Sequence, residues 1–91
     1  MKKRVKLNIR GKVQGVWYRA STKQVADNLG ITGWVKNELD GSVTVVAEGD
    51  EGKLKELIKW CHKGPEYAVV NEIIEQWSDA TNEFKVFKIV Y

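Results

Sequence analysis

Arg19 stands near the end of the run Gly11-Lys12-Val13-Gln14-Gly15-Val16-Trp17-Tyr18-Arg19-Ala20-Ser21, which reads as a glycine-bracketed loop passing from a strand into a helix. Such a loop turns several backbone N–H groups toward one point. The partial positive charge of a helix N-terminus adds to them, and a small tetrahedral anion is the natural guest. An arginine at the start of that helix would supply a planar, bidentate fork for phosphate oxygens. Asn37, just past a later strand, offers an amide that can hold a water by hydrogen bonds. Glycine turns between strand and helix are also common as plain structural turns, and the Walker glycine–lysine pattern is absent, so residue chemistry alone leaves both readings open.

Other chemistry has little support. No serine has a convincing histidine and carboxylate set. The one histidine, His62, reads as a solvated residue near a helix C-terminus, where the dipole favours it. Cys61 is the only cysteine, so no internal disulfide forms, and it falls on an apolar stripe. Asp50-Glu51 is explained by the first turn of a helix, and no Cys/His cluster has zinc spacing. The expectation is an active site without metal or cofactor.

The residues that would do the work need a frame. Val5, Leu7 and Ile9 alternate with charged and polar neighbours, a half-buried strand ended by Gly11. Thr22, Val25, Ala26 and Leu29 make one stripe of a helix closed by Gly30. Ile31, Gly33 and Val35 alternate in a second strand. Asp40-Gly41 then signals a hairpin into a return strand with Val43, Val45 and Ala47. Asp50 is a plausible N-cap for a helix carrying Leu54, Leu57, Ile58 and Cys61, which Gly64-Pro65 stops. Tyr67 to Trp77 reads as a strand, Ser78 to Glu83 as a polar turn, and Phe84 to Tyr91 contains a last short strand. Each helix has a single apolar stripe, so both can lie on one face of a sheet. The simplest arrangement is a ferredoxin-like α/β sandwich: an α+β fold of order βαββαβ, a mainly antiparallel sheet and a short extra C-terminal strand. In that order the first loop and the end of the second strand can meet at one end of the sheet.

With 43% hydrophobic and 30% charged residues over 91 positions, the chain has an ordinary globular composition and is read as one domain, residues 1–91. A net charge of +3 favours anionic substrates but is too small to argue for nucleic acid. The basic start, Met1-Lys2-Lys3-Arg4, is followed by no apolar run of signal-peptide or membrane-spanning length, so the expectation is cytoplasmic, away from membranes.

Gly11 to Arg19 resembles the first signature of the acylphosphatase family, a GRVQGVxFR-like run. Gly33-Trp34-Val35-Lys36-Asn37, followed by Gly41, Val43 and Gly49, resembles its second, and Gly64-Pro65 with Ala68 and Val69 matches a further family feature. The resemblance covers nearly the whole chain. It implies hydrolysis of the carboxyl–phosphate bond of acyl phosphates to a carboxylate and inorganic phosphate, without metal, cofactor or phosphoenzyme. It also implies that Gln14, Gly15, Val16, Trp17, Tyr18 and Arg19 form the phosphate cradle, that Arg19 binds the phosphoryl group, and that Asn37 orients the attacking water. Lys12 replaces the usual arginine, Trp17-Tyr18 carries aromatic bulk where relatives vary, and Glu38 stands where some relatives have a small hydroxyl residue.

Read without the resemblance, Arg19 could be a surface residue paired with a carboxylate, and Trp17 and Tyr18 could be plain packing, as could Trp34, Trp60 and Trp77. A rival function is RNA binding on the sheet, but Val5 to Ile9 and Val43 to Glu48 carry no aromatic residue for base stacking. A second rival is a phosphate-binding regulatory domain without catalysis, against which Arg19 and Asn37 both speak. The expected partner is a small-molecule acyl phosphate, with inorganic phosphate as product, acted on by a monomer without nucleic acid.

Overall fold

The computed structural model describes residues Met1 to Tyr91. Alternation and helical spacing resolve into β1 (Lys2–Lys12), α1 (Tyr18–Leu29), β2 (Thr32–Asn37), β3 (Val43–Asp50), α2 (Glu51–Lys63), β4 (Val69–Asp79) and β5 (Phe87–Val90). The strands form one sheet in the order β4-β1-β3-β2-β5. All pairs are antiparallel except β2 with β5. One face of the sheet gives Val5, Leu7, Ile9, Val35, Val43, Val45 and Ala47 to a core closed by Ala26 of α1 and by Leu54, Leu57, Ile58 and Cys61 of α2. This is the ferredoxin-like sandwich.

Local signals place most boundaries. Gly30 caps α1 in the left-handed region, its N–H bonding to the Ala26 and Asp27 carbonyls. Asp50 caps α2 by accepting from the Gly52 N–H at 3.2 Å. In the β2–β3 hairpin, Asp40 accepts from the Ser42 N–H at 2.9 Å and the Ser42 hydroxyl at 2.6 Å. Several boundaries differ from the sequence reading; Asn37, expected just past the second strand, is the last residue of β2. Gly11 does not end β1: the strand runs on to Lys12 through a register shift against β4 between Arg10 and Gly11. The connecting loop is therefore the shorter Val13–Trp17. β4 starts at Val69, two residues later than expected, after a turn in which the Ala68 N–H bonds to the Pro65 carbonyl.

A further difference lies at the far end of the sheet: Ser78 and Asp79, expected in a polar turn running to Glu83, extend β4 instead. Because β4 and β5 occupy opposite edges, the segment between them has to cross the sheet rather than turn back. Glu48 of β3, only 3% exposed, anchors that crossing. It accepts from the Thr81 N–H, the Thr81 hydroxyl and the Asn82 N–H, each at 2.9 Å, and from Arg4 at 3.2 Å. Arg4 also bonds to Glu83 at 2.6 Å and lies 5.2 Å from the centre of the Phe84 ring. Burial alone would raise the Glu48 carboxyl, but the Thr81, Asn82 and Arg4 donors outweigh it and hold the group below its ordinary 4.5. The stability from these bonds is therefore complete above that value and is lost as pH falls through the lower folded value.

Glu48→Gln should lower unfolding stability at pH 7 by about 1.5–3 kcal/mol, the scale of hydrogen bonds to a charged group. Urea unfolding of both proteins checks this: the difference should shrink steadily below pH 4.5. A difference independent of pH would remove the carboxylate from the anchor.

Candidate active site

β1 and β2 both finish at the end of the sheet opposite Glu48, and the loop after β1 lies beside the end of β2. Gly15 and Trp17 take left-handed backbone, φ 73° and 66°, around Val16. Left-handed residues interleaved in this way turn successive N–H groups to one side, the geometry of an anion-binding nest. For glycine that conformation carries no Cβ penalty; for tryptophan it is strained. None of the N–H groups from Gln14 to Ala20 bonds to a backbone or side-chain acceptor of the protein. α1 also lacks a side-chain cap and any acidic residue in its first turn, whereas α2 has both. The positive end of α1 is thus left uncompensated.

The loop is held from two sides. The Gln14 amide donates to the Glu38 carbonyl at 2.7 Å and the Ser42 carbonyl at 2.9 Å, tying the loop to the β2–β3 hairpin. Tyr18, 1% exposed, donates its hydroxyl to the Cys61 carbonyl at 2.6 Å and packs against Trp60 with ring centres 5.6 Å apart. That carbonyl would take the N–H four residues on, but Pro65 has none, so the tyrosine supplies the donor. Gly64 completes the seat: a Cβ there would come within 2.8 Å of the Tyr18 ring. Burial raises the Tyr18 hydroxyl well above its ordinary value and pushes the Cys61 thiol up to about 12. Neither group can trade protons near neutrality.

Val13, Gly15, Trp17, Tyr18, Arg19 and Asn37 line a cavity of about 240 Å³. Arg19 lies with its guanidinium carbon 5.0 Å from the centre of the Tyr91 ring. Asn37 has its Oδ1 buried without any hydrogen-bond partner. A buried acceptor left open in this way is costly unless a donor is supplied from outside the protein. Of the residues singled out in the sequence, Arg19, Asn37, Gly15, Trp17 and Tyr18 meet here. The Gln14 side chain is spent on the hairpin, Val16 is buried at 6% exposure, and neither lines the cavity. His62 sits in the last turn of α2 and does not line the cavity. No three His, Cys, Asp or Glu side chains cluster anywhere as metal ligands. A larger groove of about 640 Å³ between α2 and β4 sets Lys3 and Lys55 against Glu51, Glu75 and Asp79, a lining with more carboxylates than cations and so unsuited to an anion. Sequence reasoning missed Tyr91 and the bracing role of Gln14. Only the parallel pairing of β5 with β2 carries Tyr91 to this end, and no local pattern announces it.

The family model described as Acylphosphatase matches residues 5–89. The chain belongs to the acylphosphatase family. It is 55% identical over 85 residues to an acylphosphatase of Marinobacter nauticus, covering 93% of this chain and 92% of the relative. With that of Caldanaerobacter subterraneus subsp. tengcongensis it shares 49% over 89 residues, 98% and 99% of the two chains. The crystal structure of acylphosphatase from Bacillus subtilis superposes with a TM-score of 0.95 at 32% identity, covering 98% of this chain and 99% of that one. Hydrolysis of acyl phosphates is the family activity, and this acylphosphatase is an enzyme of the acid-anhydride hydrolase class. No helix in it is long and apolar enough to cross a membrane.

Tyr18→Phe leaves the Cys61 carbonyl without its donor, and unfolding stability should fall by about 1–3 kcal/mol. Denaturant titration checks this. An unchanged midpoint would mean that the hydroxyl contributes nothing to seating the loop.

Proposed function

We propose that the N–H groups of Gln14 to Arg19 and the Arg19 fork bind the phosphoryl group of an acyl phosphate, and that Asn37 orients the water that attacks it. The observation that carries this reading is the pairing in one cavity of a row of unbonded amide donors with one buried, unpartnered acceptor. The donors match phosphoryl oxygens. The acceptor matches a water proton, which leaves a lone pair of that water free for attack.

An acyl phosphate is a mixed anhydride with a good carboxylate leaving group, so departure needs little acid assistance. Phosphoryl transfer then rests on alignment and on charge stabilisation at the three equatorial oxygens. Amides fixed by the loop, together with Arg19, supply that stabilisation without reorganising. Asparagine is not a base near neutrality, and Tyr18 and Cys61 are held above it. The water proton accordingly passes to a phosphoryl oxygen of the substrate. No phosphoenzyme forms, and no metal is required, because amides and Arg19 take up the charge. We also infer a single domain working as a cytoplasmic monomer on a small-molecule substrate, a reading that rests on the composition and modest charge.

Kinetics on benzoyl phosphate test these roles. Arg19→Lys keeps the charge but loses the fork; a charge-assisted bond contributes roughly 1.5–3 kcal/mol, so kcat/KM should drop at least about tenfold. Asn37→Ala should lower kcat on the order of 10²–10³ while KM moves far less. EDTA should leave the rate intact. Near-wild-type kinetics in either variant would remove that residue from the mechanism, and loss of activity in EDTA restored by magnesium would overturn its metal-free form.

A further inference from the structure

Trp17 is out of place by every ordinary measure of packing. The residue is 78% exposed, although indole is among the largest apolar surfaces a chain can bury. Its backbone is held at φ 66°, where a bulky residue is strained and a glycine would keep the same N–H direction at less cost. Yet it lines the cavity shared by Arg19 and Asn37. The other two apolar residues there, Val13 and Tyr18, are each 1% exposed, so among the residues lining the cavity only Trp17 offers a free apolar side chain. In the site proposed above, the phosphoryl group and the water take up the polar groups of the cavity. The acyl group, which leaves the phosphorus on the far side from that water, needs a different neighbour.

We propose that Trp17 is the specificity-determining residue for the acyl group: its indole forms an apolar wall that favours aryl and long-chain acyl phosphates over acetyl phosphate. This rests on the phosphoryl site proposed above and adds the substrate class to it. The indole becomes covered only when an apolar acyl group lies against it. An acetyl group is too small to cover much of it.

The test compares kcat/KM for benzoyl phosphate with that for acetyl phosphate, as a ratio, in wild type, Trp17→Gly and Trp17→Phe. Taking the ratio cancels any shift of the loop that affects both substrates alike. Trp17→Gly suits the left-handed backbone, so folding is not at risk from strain. The benzoyl-to-acetyl ratio should fall roughly tenfold in Trp17→Gly, the scale of a lost apolar contact in a binding pocket. Trp17→Phe should retain most of it. A Trp17→Gly ratio within about twofold of wild type would overturn the proposal. Inorganic phosphate as inhibitor of the wild type separates the two readings: competitive inhibition with an unchanged ratio defeats the acyl wall alone, whereas no competition defeats the phosphoryl site and the wall with it.

Discussion

The bond from the Tyr18 hydroxyl to the Cys61 carbonyl joins the first residue of α1 to the last turn of α2, in a part of the core closed to water. The loop before α1 has little else to hold its shape. Its amides are unbonded, and one of its residues is strained, so left alone it would relax toward solvent. Tyr18 removes that freedom by fixing the start of the helix. Gly64 and Pro65 belong to the same device: the glycine makes room for the ring, and the proline leaves a carbonyl for the hydroxyl. Gln14 fixes the other end of the loop against the hairpin. A short stretch of costly backbone is thus held by a few strong, buried contacts outside it.

The two ends of the sheet do different work. At one end the amides of the loop and the Oδ1 of Asn37 are left without protein partners. At the other, Glu48 takes four hydrogen-bond donations and secures the crossing between β4 and β5. That crossing sets β5 parallel to β2, which delivers Tyr91 to the face of the Arg19 guanidinium. Polar groups at the first end stay unpaired within the protein, and polar groups at the second are paired and hold the frame.

Much of this was legible in the residue pattern because it is local. The stripe Leu54, Leu57, Ile58 and Cys61 is buried as its spacing demands, and Gly30, Asp50 and Asp40 act where capping and turn chemistry place them. The loop and Asn37 were also legible, since glycine spacing and strand ends show in sequence. What could not be read depends on partners distant along the chain. Gly11 looks like a strand end until β4 pairs beside it and the strand continues past a bulge. Ser78 to Glu83 looks like a turn until the opposite-edge placement of β4 and β5 turns the connection into a crossing. Nothing local to Gln14 announces that its side-chain amide is used on two hairpin carbonyls.

In the proposed site the amides of the loop, with Arg19, receive a tetrahedral anion. Titration of ¹⁵N-labelled protein with inorganic phosphate, followed residue by residue in amide NMR spectra, tests it without relying on turnover. Saturable shifts should centre on the amides of Gln14 to Arg19 and on the Arg19 side chain, with the Glu48 end of the sheet unmoved. Shifts confined to other basic surfaces, or none at phosphate concentrations that inhibit the enzyme, would contradict it.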